Sequence, residues 1–402
     1  MARTSHIHPS DLLGLSRLAA DTTVGLSAVV EALHDNVARG PGAFDTPSSG
    51  PTTGITGLVY QSIRSVAGLA GVGIDAILTP LIPLPAETGS TPKREATMAA
   101  LNGVFGDYLA ATDNPLAISM RVRRNGKPLI LERRALSVAI PRLSSKVVIL
   151  VHGLCMSDLQ WKRKGHDHGA ALAHDSGYTP VRLHYNSGLH ISTNGLAFAN
   201  LLEALVEQWP APLEELAIIA HSMGGLVSRS AHYYATVAGQ RWPRQLRRIV
   251  FLGTPHHGTP AERLGNAVTA GLRLSPYTDA FARLGELRSA GITDLRYGNL
   301  LEDDWVGRDR FERSGDVRRP VPLPEGVRCY AIAATMKPTG GLNDGLPGDG
   351  IVPVESALGR HEDPAKNLSF PESRRWVGHD MSHFDLLSNS AVYERIRRWL
   401  AM

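Results

Sequence analysis

The stretch IAHSMGGL, residues 219–226, sets a hydroxyl between an apolar run and a pair of glycines. ELAIIA (215–220) reads as a short buried strand, and MGGLVSRSAHYYA (223–235) reads as the helix after it. A tight turn from strand into helix tolerates only small neighbours, and Ala220 and Gly224 stand two residues to either side of Ser222. The serine then stands clear at the carboxyl end of the sheet, where the amide N–H groups and positive dipole end of the helix point. That is a nucleophile elbow, and Ser222 is its candidate nucleophile.

A serine hydroxyl attacks poorly without a base, and the base needs a carboxylate to orient it. With the nucleophile on such an elbow, the acid and then the histidine come later in chain order. GLPGDGIVPVESA (345–357) lies beyond the apolar run VRCYAIAAT (327–335) and places Asp349 in a glycine-rich loop, with Asp344 as its competitor. VGHDMSHFDLLSN (377–389) holds His379 and His383, and His383 directly precedes the segment that launches the last helix. We read Asp349 as the acid and His383 as the base. An oxyanion needs two donors. The backbone N–H of Met223 is one, and that of Leu154, in HGLCMSDLQW (152–161) after the strand KVVILV (146–151), is the other. Cys155 has no elbow and reads as a small packed thiol.

These residues need a frame. From residue 116 onward the chain alternates. Strand-like runs are KVVILV, YTPVRLHY (178–185), ELAIIA, RRIVFLG (247–253) and VRCYAIAAT; GLAFANLLEALVEQW (195–209) and VYERIRRWL (392–400) read as helices. LAISMRVRR and PLILERRALSVAI flank Asn125-Gly126 as a hairpin would. The alternation predicts an α/β class, a mostly parallel sheet with helices on both faces. Residues 1–115 differ. Leu15, Leu18, Thr22, Leu26, Val29, Leu33 and Val37 form a helical stripe, and PKREATMAALNGVFGDYLAA (92–111) reads as a further helix. Between them, 58–85 is apolar and rich in Gly and Ala, a surface for core packing or for contact with a membrane.

Composition narrows the classes. Of 402 residues 43% are hydrophobic and 20% charged, which suits a globular protein with a large core. The formal net charge of +4 is a mild excess, and no finger spacing, basic zipper or RNA-binding motif accompanies it, so nucleic acid is not expected as a partner. Two cysteines, Cys155 and Cys329, build neither a disulfide framework nor a paired-cysteine zinc site. GHDHG (165–169) brings two histidines close together, but no distant ligand set joins them, and no metal or cofactor is expected. The opening MARTSHIHPSDLLG lacks a secretory pattern, so a cytoplasmic protein is expected, and peripheral membrane contact through its N-terminal region stays open as the alternative to core packing there.

Taken together, VHGL, AHSMGG, FLGTPHHGT, GDGIVPVESA and SHFDLL resemble the lipase and esterase branch of the α/β-hydrolase superfamily, over residues 116–402. The resemblance implies an α/β-hydrolase fold with Ser222 as nucleophile, Asp349 as acid, His383 as base, and Leu154 and Met223 as oxyanion donors. It also implies a cap over the pocket, at 258–325. Ala220 stands where a glycine often opens the elbow, and His-Gly-Leu replaces the glycine run of one esterase branch. His152, Tyr185, His221 and His256 are candidates for the pocket lining. The expected activity is hydrolysis of hydrophobic carboxylic esters. A thioesterase, acyltransferase or polyester depolymerase would use the same three groups, and a membrane-associated binding protein without catalysis is the alternative from another class.

Overall fold

Mostly apolar runs of six or seven residues, flanked by shorter segments of two to four, build a single sheet. The computed structural model describes residues 10, 11, 13, 14, 17, 18, 92–260, 289–310, 315–338 and 348–402. Its strands are β1 Arg121–Arg124, β2 Lys127–Pro128, β3 Lys146–Val151, β4 Thr179–His184, β5 Glu215–His221, β6 Leu246–Leu252, β7 Arg328–Ala334 and β8 Arg375–Gly378. Their spatial order is β2-β1-β4-β3-β5-β6-β7-β8. β1 is antiparallel to β2 and β4, and every other pairing is parallel. The helices are α1 Pro92–Ala111, α2 Arg133–Ala139, α3 His168–Ser176, α4 Ile191–Gln208, α5 Met223–Val237, α6 Ala290–Asp294, α7 Val354–Ala357 and α8 Ser390–Ala401. The architecture is the α/β-hydrolase fold.

Strand pleating explains why KVVILV is apolar throughout. Val147, Ile149 and Val151 pack on one face with Phe198 and Leu202 of α4 and Leu226 of α5. Val148 and Leu150 pack on the other with Leu172 of α3 and with Val392, Ile396 and Trp399 of α8. A strand covered on both faces loses the alternation of a half-solvated one. Because β3 to β8 run parallel, their carboxyl ends share one edge. The loops carrying Leu154, Ser222, Asp349 and His383 all leave from it.

The hairpin turns on Asn125 and Gly126, at φ 53° and 77°, the left-handed pair that a two-residue loop requires. Its second arm is shorter than the sequence suggests. Only Lys127 and Pro128 pair, and RRALSVA winds into α2 with Leu136 buried. Pro128 cannot donate to a ladder, and Arg, Ala and Leu favour the helix. Strand β8 gave no signal along the chain, being four residues at the sheet edge, three of them half-buried.

Two compact units divide the chain: 1–91 with 109–117, and 92–108 with 118–402. In the first, Asn114 Nδ2 donates to Gly14 O at 3.1 Å and Asn114 Oδ1 accepts from Leu116 N at 3.0 Å. The second carries the sheet. Most of the expected stripe at 15–37, the apolar segment 58–85, Asp344, and residues 261–288 and 311–314 of the expected cap lie outside the described residues. Among the described residues no helix is long and apolar enough to cross a membrane.

Candidate active site

Ser222 sits between β5 and α5 at φ 56° and ψ −128°. For a residue with a Cβ this conformation costs about 1–3 kcal/mol, so the surroundings must enforce it. They do so from two sides. Ser222 N donates to Leu252 O of β6 at 2.8 Å. Gly224 lies against β3, where an added Cβ would stand 2.6 Å from the carbonyl oxygens of Val151 and His152. Only glycine permits that approach. The loop after β3 comes equally near, since a Cβ on Gly153 would fall 2.9 Å from Ser222 Cβ.

Asp349 and His383 are 2% and 3% exposed and meet through Oδ2 and Nδ1 at 2.7 Å. A carboxylate only accepts, so the proton is on Nδ1 and Nε2 keeps its lone pair. The carboxylate is itself fixed, because its Oδ1 accepts from Ile351 N at 3.0 Å and Val352 N at 2.8 Å. The histidine loop is held at several points. His383 N donates to Asp349 O at 3.0 Å, and Ser382 N and Oγ both donate to Asp385 Oδ2, at 3.1 and 2.6 Å. Lys164, 2.7 Å from Asp385 Oδ1, is the main cause holding that carboxyl down at about 2.

Two backbone amides are open. Met223 N–H, the first of α5, and Leu154 N–H donate to no described residue. By contrast Cys155 N–H donates to Ser187 Oγ at 3.1 Å. Burial pushes the Cys155 thiol up to about 12, far from thiolate chemistry at neutral pH. One cavity is lined by Ser222 and His383 together with apolar Leu154, Met156, Leu295, Ile351, Val352 and Phe384. Pairing a positive-φ serine with an acid-held imidazole in an apolar cavity suits acyl transfer.

A domain of unknown function, DUF7379, matches residues 132–278 of the chain. None of the curated proteins compared with the chain matches it. Among solved structures the chain is similar to the mature lipase BlEst2 of Bacillus licheniformis. The two are 19% identical over 63% of this chain and 91% of that one, at a TM-score of 0.41. It is similar also to lipase B of Aspergillus fumigatus, 14% identical over 66% of this chain and 57% of that one, TM-score 0.38. The esterase Pf2001 of Pyrococcus furiosus is 14% identical over 64% of this chain and 81% of that one, TM-score 0.38.

Of the residues expected at the pocket, His221 lines the cavity, whereas His152, Tyr185 and His256 do not. His152 and Tyr185 stack under the loop at 4.3 Å, and Tyr185 Oη donates to His152 O at 2.8 Å, so both rings support the backbone that leads to Leu154. His256 turns to Arg229 instead, with Nδ1 3.3 Å from Nη1. His221 Nε2 donates to His383 O at 3.1 Å, which ties the His383 backbone to the turn after β5. Burial, then the neighbouring His383, keeps His221 neutral, well below the ordinary histidine range. His379 is not among the lining residues.

Two supports had no role legible along the chain. The GHDHG histidines form a relay, with His166 Nε2 2.8 Å from His168 Nδ1 and His168 Nε2 2.9 Å from Leu386 O, so they brace the loop after His383. Glu95, Asp158 and His184 bring ligand atoms within 4.8 Å of one another, a grouping a cation could use. The Arg123 guanidinium lies among them, with Nη1 2.9 Å from Glu95 Oε2 and 2.8 Å from Asp158 Oδ1. It already supplies the positive charge there. Burial opposes the charge on Arg123, but Glu95 and Asp158 outweigh it and raise the pKa.

Proposed function

We propose that this chain hydrolyses carboxylic esters with hydrophobic acyl groups through an acyl-enzyme on Ser222. One observation carries the reading: a serine at φ 56° shares an apolar cavity with a histidine whose Nδ1 is held 2.7 Å from a buried carboxylate. His383 Nε2 takes the Ser222 Oγ proton as the oxygen bonds to the carbonyl carbon. The carbonyl oxygen becomes an oxyanion and accepts from the N–H groups of Leu154 and Met223, each such donor being worth roughly 10²–10³ in rate. Collapse breaks the bond to the alkoxide, which leaves with the proton from His383 Nε2. Water, deprotonated by the same nitrogen, then attacks the acyl carbon, and the acid product departs as Ser222 recovers its proton.

Asp349 holds the imidazole in its Nδ1–H tautomer and stabilises the imidazolium formed at each step. The apolar lining favours an acyl chain over a polar group. Thr259 and Leu295 belong to that lining, so these described parts of the expected cap border the cavity. A fluorophosphonate probe tests the assignment: the wild type should label and Ser222→Ala should not. Labelling that persists in Ser222→Ala, or an unlabelled wild type, would overturn it. A panel of p-nitrophenyl esters, acyl thioesters and polyester films then separates ester hydrolysis from its neighbours.

A further inference from the structure

Arg229 lies on α5, does not line the cavity that holds Ser222, and is 4% exposed. Its Nη2 donates to Val321 O, its Nη1 lies 3.3 Å from His256 Nδ1, and its Nε has no partner. No carboxylate pairs with it among the described residues. A guanidinium buried without a counter-charge is expensive, and folds normally keep such a group paired. The nearby thiol of Cys329 supplies no charge, because burial pushes it up to about 12. Burial, and after it the neighbouring Arg318, lowers Arg229 to about 9, so it stays charged at neutral pH.

Arg229 borders a cavity of about 20 Å³ that is also lined by His256, Arg318, Arg319 and Lys366. Asp304 also lines the cavity, and it and the acidic residues nearby are already engaged. Asp304 accepts from the backbone N–H of Leu300, Leu301 and Arg319. Asp316 holds Arg318 at 2.8 Å and Lys366 at 3.0 Å. Asp303 and Asp363 reach Arg319 and Lys366 only at 3.9 Å and are exposed. At close range Arg229, Arg318, Arg319 and Lys366 therefore face only Asp304 and Asp316, which leaves positive charge in excess there. A second buried donor is also open. Since Nδ1 of His256 faces an Arg229 N–H, its proton is on Nε2, and that atom has no partner either. Two orphaned buried donors beside a basic cavity require an explanation.

We propose that this cavity binds a phosphate-sized oxyanion, with Arg229, His256 and Arg319 as its donors. The niche is ion-sized and partly open to solvent, so it accepts a free oxyanion or the phosphate group of a larger molecule. Once bound, the anion bridges α5, the loop after β6, and the 318–321 segment.

Calorimetric titration of the full chain with inorganic phosphate, at constant ionic strength in chloride, tests this. Saturable binding at one site per chain is expected, with a phosphate-dependent rise in Tm that chloride does not reproduce. Arg229→Met should abolish binding. Arg319→Ala, at an exposed position that the fold does not need, should weaken it at least fivefold, and Arg319→Glu should abolish it. These Arg319 variants decide the matter if Arg229→Met does not fold. Glycerol 3-phosphate is the second arm: tighter binding than inorganic phosphate identifies a phosphomonoester ligand, and equal binding identifies the free ion. Absence of saturable binding up to tens of millimolar phosphate, or equal affinity in the wild type and Arg319→Glu, would overturn the proposal.

Discussion

Replacing Asp349 with asparagine removes a charge while leaving the shape almost intact, and the hydrogen bonds of the loop decide how the new side chain sits. Asp349 Oδ1 accepts from two backbone N–H groups, those of Ile351 and Val352, and Oδ2 faces His383 Nδ1. An asparagine must present its NH2 to one side or the other. Turned towards the backbone, it opposes two buried donors, at about 1–3 kcal/mol for each bond lost. Turned towards His383, it costs the imidazole only a change of tautomer. The second choice wins. The proton then moves to Nε2, the nitrogen that should receive the serine proton, and general-base catalysis stops. The loss of kcat/KM should be about 10⁴-fold, or about 5 kcal/mol at 1.36 kcal/mol per decade. The assay is p-nitrophenyl butyrate hydrolysis by Asp349→Asn, with circular dichroism and thermal melting to establish that the variant is folded. A folded variant within about tenfold of wild-type activity would refute the tautomer reasoning and remove Asp349 from the orienting role.

Acid should destabilise the fold well above the carboxylate range. Burial lowers His152 to about 3 and His168 to about 4, and holds His221 and His256 well below the ordinary histidine value. A depressed pKa means the unfolded chain binds the proton more tightly, so the stability these groups contribute is present above about pH 6.5 and is lost as pH falls towards 4. Each neutral histidine steepens the decline by about 1.4 kcal/mol per pH unit. Urea midpoints measured from pH 7 to 4.5 should drop sharply, and a flat profile would contradict this. Arg123→Met should cost about 3–5 kcal/mol in urea unfolding, because it strands Glu95 and Asp158 as buried carboxylates. A loss under about 1 kcal/mol would mean the cluster is hydrated or dispensable.

Local pattern was enough for most of the elements. The runs read as β3 to β7, and the helices α1, α4, α5 and α8, emerge within a few residues of where periodicity puts them, because burying one face or two imposes its period on neighbouring residues. The small residues around Ser222 also announce their turn, since crowding between a strand and a helix is a local steric matter. A four-residue edge strand such as β8 and the two-residue arm β2 are too short to imprint a period.

By itself, then, the sequence determined the alternating α/β frame, the elbow, and the short list of serine, acid, histidine and amide groups that could act together. Only the tertiary structure decided which polar groups meet. It turned Tyr185 and His152 away from the cavity to support the loop after β3, drew Arg123 between Glu95 and Asp158, aimed the GHDHG histidines at the Leu386 carbonyl, and buried Arg229 with no carboxylate beside it among the described residues. The reason is physical. Burial drives most polar groups to find a partner, yet that partner is often a backbone carbonyl or a side chain a hundred residues away. Such pairings leave no repeating mark on the chain.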